Sequence, residues 1–272
     1  MALVSSILIE VCVDSVESAR NAAHAGADRL ELCANLGLGG GTTPSLGLLK
    51  SVQKVVGLPI MAMIRPRTGD FCYSDQELEV MLEDIRVFKE HDVRGIAVGV
   101  LDKDGRVDAE RMKSILDEAL PLEVCFHRAF DMTRDAEEAL RDIEGIGGIS
   151  RILTSGHGKT APDALATLQS FFRMTKELIE DKPWGLTVLP GSGVNPTTIT
   201  PILDALLPLG LQEIHLSGSH WIDGGMSFRR EGMGMGAGGE GEWGIWMVDR
   251  EKVSEVREIA DKYWESYHGR DE

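Results

Sequence analysis

Hydrophobic and polar positions along the chain switch repeatedly between two periods. Short apolar runs rich in β-formers begin at Ile7 (ILIEVCV), Asp28 (DRLEL), Pro59 (PIMAMIR), Arg94 (RGIAVGV), Leu122 (LEVCFHR), Ile149 (ISRILTS), Trp184 (WGLTVLP) and Gln212 (QEIHLSG). Amphipathic stretches with helical spacing follow them, at residues 16–25, 45–56, 74–91, 108–119, 135–144, 162–180, 196–206 and 249–267. Ser74 with Glu77 three residues on is a capping-box pattern, Asp249 stands where an N-cap belongs, and Asn195-Pro196 looks like a cap followed by a first-turn proline. Strands that alternate with helices pair in parallel through right-handed crossovers, which leaves an open doubly wound sheet or a closed barrel. Eight units favour closure. The expectation is an α/β fold, a (β/α)8 TIM-type barrel, with all 272 residues in a single domain, close to the roughly 250 residues usual for such barrels.

The stretch 223–244 contains GGMSFRREGMGMGAGGEGEWG and is too rich in glycine to fold alone, so it reads as a flexible insertion before the last helix. Met233 and Met235 within it need no metal to explain them. Trp243, Trp246 and Trp264 surround the final helix, where packing against the barrel base or an oligomer partner accounts for them. His24, His91, His157, His220 and His268 sit on helices or loops away from strand ends, and solvated surface is the default for each.

Within the strands, residues i and i+2 share a face. That groups Glu10 with Cys12, Glu31 with Cys33, Met61 with Met63 and Arg65, Glu123 with Cys125 and His127, and Glu213 with His215 and Ser217. The outer face of a barrel strand packs dry against helices, where a carboxylate is costly, so these polar and sulfur groups belong on the face toward the axis.

Charge and cysteine usage narrow the setting. A formal net charge of −16 speaks against sequence-independent binding to nucleic acid or an anionic membrane, both of which need a basic footprint. No apolar run approaches the length of a spanning helix, and the first residues lack the basic flank and long apolar region of a signal peptide. A cytoplasmic location is expected. Four cysteines, Cys12, Cys33, Cys72 and Cys125, show no CxxC spacing and are expected to be reduced thiols.

Two chemistries suit the inward groups. Cys12, Cys33, His127 and His215, with Met61 or Met63 nearby, are ligand types that suit Cu(I), although a thiol on a core strand is ordinarily a small buried hydrophobe. Alternatively, the mouth serves an enzyme of unknown reaction acting on a small phosphate- or carboxylate-bearing metabolite. For that role Arg65, Arg67 and Arg128 supply anion recognition, with Asp70 beside them. Ser155-Gly156, Gly191, Gly193 and Ser217 lie after strands six, seven and eight, where barrels often hold phosphate, although each is also ordinary turn chemistry. Glu10, Glu31, Arg65, His127 and Asp131 are the candidate catalytic groups. Glu10 and Glu31 on adjacent strands repel if both are ionised, so either one has a raised pKa or Arg65 neutralises the pair. The residues leave open whether the protein is an enzyme.

Longer motifs carry a family resemblance. EVCVD at 10–14, GADRLELC at 26–33, GGTTPS at 40–45, MIRPR at 63–67, GDFCY at 69–73, FHRAFD at 126–131 and RILTSG at 151–156 closely resemble the CutC family of copper homeostasis proteins, in order, from the first strand to about Ser217. The resemblance implies a cytoplasmic TIM-type barrel linked to copper handling and often homo-oligomeric, with the copper ion as its partner. It carries over Glu10, Cys12, Glu31, Cys33, Arg65, Asp70, His127, Arg128 and Asp131 as motif positions. Cys125 departs from the threonine expected in that segment, and the glycine-rich insertion is a second departure.

Overall fold

The computed structural model describes residues 6–180, 182 and 185–269. Eight strands make one parallel sheet: β1 (Leu8–Val13), β2 (Arg29–Leu32), β3 (Ile60–Met63), β4 (Gly95–Val98), β5 (Glu123–Phe126), β6 (Arg151–Thr154), β7 (Thr187–Pro190) and β8 (Glu213–Leu216). Neighbours in sequence are neighbours in space, and β1 also pairs with β8. The ring is nearly closed on its other seam, where Thr187 Oγ1 of β7 donates to Glu213 Oε1 of β8 at 2.7 Å. The fold is the expected (β/α)8 TIM-type barrel. The expected start of strand seven, Trp184, lies outside the described residues, and the strand runs from Thr187.

Alternation sorts the strands as their sequences require. Ile9, Val11, Val13, Leu30 and Leu32 are fully buried in the layer between strands and helices. There they meet Ala19 and Ala22 of α1 (Val16–His24), and the same layer holds Leu49 and Val52 of α3 (Leu46–Gln53) and Met81 and Ile85 of α4 (Asp75–Lys89). The helix α4 begins with the full capping box, Ser74 and Glu77 each taking the other's backbone N–H. The remaining outer helices are α5 (Ala109–Ala119), α6 (Ala136–Ile146), α7 (Leu165–Ile179), α8 (Ile199–Leu206) and α9 (Arg250–His268). A short helix, α2 (Leu36–Gly39), sits in the loop after β2 and was not expected.

One local expectation needs correction, and one stretch has flanks that the pattern did not suggest. Pro196 does not open a helix. Asn195 instead holds a turn, accepting from Thr197 N at 2.9 Å, and α8 starts only at Ile199. The glycine-rich stretch is the connection of a hairpin, with β9 (Ser219–Asp223) and β10 (Gly244–Val248) pairing antiparallel on either side of it. Trp221 and Trp246 face each other across that pair, ring centroids 5.2 Å apart. The hairpin is tied to α1, since Ser18 Oγ accepts from Val248 N and Asn21 Nδ2 donates to Val248 O. Trp246 therefore lies at the barrel mouth, away from the base where Trp264 packs.

The inner face carries ion pairs at its N-terminal end. The first residues of five strands, Arg29, Glu123, Arg151, Thr187 and Glu213, point into the barrel and hold one another: Arg29 pairs with Glu10 and Glu213, and Arg151 pairs with Glu123. Above this ionic floor Met61, Met63, Ala97, Cys125, Leu153 and Leu189 form an apolar cluster with Cys33.

Candidate functional site

Three adjacent strands converge near the C-terminal end of the barrel. Register places Cys12 beside Glu31 and Glu10 beside His215, so β8, β1 and β2 present their inward side chains to one point. Cys12 Sγ, a Glu31 carboxylate oxygen and a His215 ring nitrogen lie within 4.8 Å of one another, the one such group of metal-ligating atoms among the described residues. His215 Nδ1 is 2.7 Å from Glu10 Oε1, and Glu10 in turn accepts from the Arg29 guanidinium. Position along the chain hid this grouping, since Glu10 and His215 are 205 residues apart.

The electrostatics follow from burial and from these partners. Burial opposes ionisation of Glu10, but Arg29 and His215 outweigh it and lower its pKa to about 2. His215 is held well above the usual imidazole range: burial works against its charged form, while Cys12, Glu31 and Glu10 more than offset that. Burial raises the Cys12 thiol, against the pull of His215. Burial raises Glu31, opposed by His215 and reinforced by Glu10. It is Arg29, and not Arg65, that compensates the carboxylates. The period of two places Arg29 on the face of Glu31, one step ahead of the Glu-x-Cys repeat.

Other expected groups sit nearby with different duties. Cys33 is fully buried beside the mouth, its Sγ 3.5 Å from Glu31 Oε2 and packed on Gly41, outside the three-atom group. His127 lies across the barrel, its Nδ1 accepting from Ala129 N at 3.2 Å. Gly99 makes room for that ring, because a Cβ there would come within 2.7 Å of Nδ1. Asp131 is taken up by its own loop, accepting from Thr154 Oγ1 (2.5 Å), Ser155 N and Oγ, and Arg128 Nε. Arg67 turns away from the mouth to Glu77, Asp70 and the Cys72 carbonyl. Gly156 packs on Ala164 and Leu168, and Gly191 on Leu153 and His215. Gly193, Ser217 and Arg128 do reach the mouth. Cys125 stays in the apolar cluster, its thiol raised by burial.

Above the group opens a cavity of about 750 Å³. Its walls include Leu36, Met63, Phe71 and Trp246 as apolar surfaces, Arg65, His127 and Lys252 as polar ones, and the loop 192–197 after β7. Leu36 comes from the short helix α2, Phe71 from a loop, Trp246 from the hairpin and Lys252 from the first turn of α9. Alternation along strands says nothing about such residues.

Comparison with known proteins gives a consistent result. The CutC family profile matches residues 7–220. The chain is 42% identical over 257 residues to the human copper homeostasis protein cutC homolog, covering 94% of this chain and 90% of that one. It is 39% identical over 259 residues to the family protein CutC of Klebsiella pneumoniae, covering 94% and 98%. A crystal structure described as a copper homeostasis protein CutC, from Streptococcus agalactiae, superposes with a TM-score of 0.68 at 28% identity, covering 78% of this chain and 98% of that one.

Proposed function

Because the chain belongs to the CutC family, we propose that it serves copper homeostasis in the cytoplasm by holding Cu(I) between the Cys12 thiolate and the His215 imidazole. The observation that carries this is the close grouping of Cys12, Glu31 and His215 with Glu10 behind the imidazole. Thiolate and imidazole are soft or intermediate donors that suit Cu(I), whereas a carboxylate is a hard one, so Glu31 supplies charge rather than a preferred bond. The Glu10–His215 contact is the carboxylate–histidine arrangement that fixes a metal-ligating ring: with Nδ1 turned to Glu10, Nε2 is the nitrogen left for the ion. All three side chains stand on strands, so the donors are positioned before the ion arrives.

The raised pKa values of Cys12 and His215 mean that an incoming ion displaces protons, and apparent affinity rises with pH. Anaerobic Cu(I) titration against a competing chelator tests the assignment. Wild type and Cys72→Ser are expected to bind alike, Cys33→Ser to lose little, and Cys12→Ser and His215→Gln to lose at least about 100-fold, more than the roughly 10- to 100-fold typical of outer-shell changes. Equal affinity of wild type and Cys12→Ser refutes the site. An ion fills only a small part of a cavity of about 750 Å³.

A further inference from the structure

We infer that the mouth cavity binds a small hydroxycarboxylic acid, its carboxylate against Arg65 and His127 and its hydroxyl toward Glu31. This goes beyond the copper site and shares only Glu31 with it. Besides Trp246 Nε1 on the hairpin, three polar side chains lining the cavity each keep one buried atom without a hydrogen-bond partner: Arg65 Nε, His127 Nε2 and Glu31 Oε1. Their residues are 8%, 2% and 3% exposed. An unmet buried polar atom costs roughly 1–3 kcal/mol, more if charged, so three around one cavity mark a missing partner.

The charge of that partner follows from Arg65. Its Nη1 donates to the carbonyls of Gly39 (2.7 Å) and Gly41 (2.9 Å) and its Nη2 to that of Gly69 (3.2 Å). Those dipoles hold the guanidinium without neutralising it. Among the described residues no carboxylate forms a salt bridge with it, whereas Arg128 has Asp131 and Lys252 has Asp249. A buried guanidinium stays charged, and it is costly without a counter-ion. One uncompensated positive charge matches a monoanion.

The group on the ligand follows from His127. Because Nδ1 accepts from Ala129 N, the ring proton is on Nε2, which is then a donor in search of an acceptor. Burial and the neighbouring Arg65 lower its pKa to about 3, so the ring stays neutral. Two N–H donors and one positive charge suit a planar carboxylate better than a phosphate dianion. Glu31 needs a partner able to donate to a carboxylate or accept from a carboxyl, and a hydroxyl does either. Leu36, Met63 and Trp246 offer an apolar wall for the carbon skeleton, and the volume is that of a small-molecule site. Phe71 lies 5.0 Å from the Arg65 guanidinium and 5.1 Å from the His127 ring, on a loop after β3. Packed against both groups at the cavity wall, it is the side chain that gives way as the acid enters.

The test uses the whole chain, freed of copper with a chelator so that its outcome is independent of the metal assignment. Lactate, 2-hydroxyisocaproate and 3-phenyllactate, each beside its amide, and inorganic phosphate are titrated by calorimetry. At least one acid is expected to bind saturably with its amide silent. His127→Phe, which keeps the flat ring, is expected to weaken that acid at least tenfold, and Arg65→Gln to abolish the preference for acid over amide. Should Arg65→Gln fail to fold, His127→Phe alone decides. Absence of binding at about 10 mM, equal binding of acid and amide, binding of phosphate alone, or unchanged affinity in His127→Phe overturns the inference.

Discussion

Arg29 holds together the two carboxylates Glu10 and Glu213, and its loss would leave Glu10 with His215 alone and Glu213 with only the Thr187 hydroxyl in a dry interior. Removing one partner of a buried pair costs about 3–5 kcal/mol. Arg29→Met is therefore expected to lower the stability measured by urea unfolding by that order, and a change below about 1 kcal/mol would contradict the role. His127 makes the opposite kind of prediction. Its folded pKa, about 3, lies below the ordinary value of 6.5, so the unfolded chain takes up the proton first. The stability that the neutral ring contributes is whole above pH 6.5 and is lost as pH falls from 6.5 toward 3. The slope approaches roughly 1.4 kcal/mol per pH unit. Unfolding free energies of wild type and His127→Gln between pH 7.5 and pH 5 should diverge on the acid side, and parallel profiles would show that this ring does not titrate so. At this scale the inward-facing sets were legible because alternation along a strand is geometric. Arg29 is less legible because it precedes the Glu-x-Cys repeat, and Leu36 and Phe71 because segments between strands follow no period of two.

At the scale of elements, glycine and hydrogen-bonding side chains decide where the expected pieces begin and what they admit. Gly99 follows β4, and a Cβ there would lie 2.7 Å from His127 Nδ1 and 2.9 Å from the Ala129 Cβ. Gly99→Ala must push the imidazole or its loop aside, at about 1–3 kcal/mol for such overpacking. Urea unfolding should register that loss, and unchanged stability would mean the loop yields freely. The strands and most helices were readable from periodicity, and the Ser74–Glu77 box from its spacing. The hairpin was not. SHWID and GIWMV are each short, and the glycine tract between them suppressed any expectation of pairing, although their aromatic residues face each other once paired. Pro196 misled for a related reason: a side-chain turn by Asn195 uses the same residues as a helix cap.

For the whole molecule, closure is what creates the site. The sequence places Cys12, Glu31 and His215 on inward faces, but only the ring sets the last strand beside the first and so brings His215 between Glu10 and Cys12. That adjacency explains why Cys33 and His127, equally plausible as copper ligands along the chain, stand outside the group. The fold thus sets Cys12, Glu31 and His215 together at the floor of the wider cavity. X-ray absorption at the copper edge of the anaerobically loaded protein tests this most directly. The account predicts one sulfur and one nitrogen scatterer, with the sulfur lost in Cys12→Ser and retained in Cys33→Ser. Two sulfur scatterers that reduce to one in Cys33→Ser would contradict it.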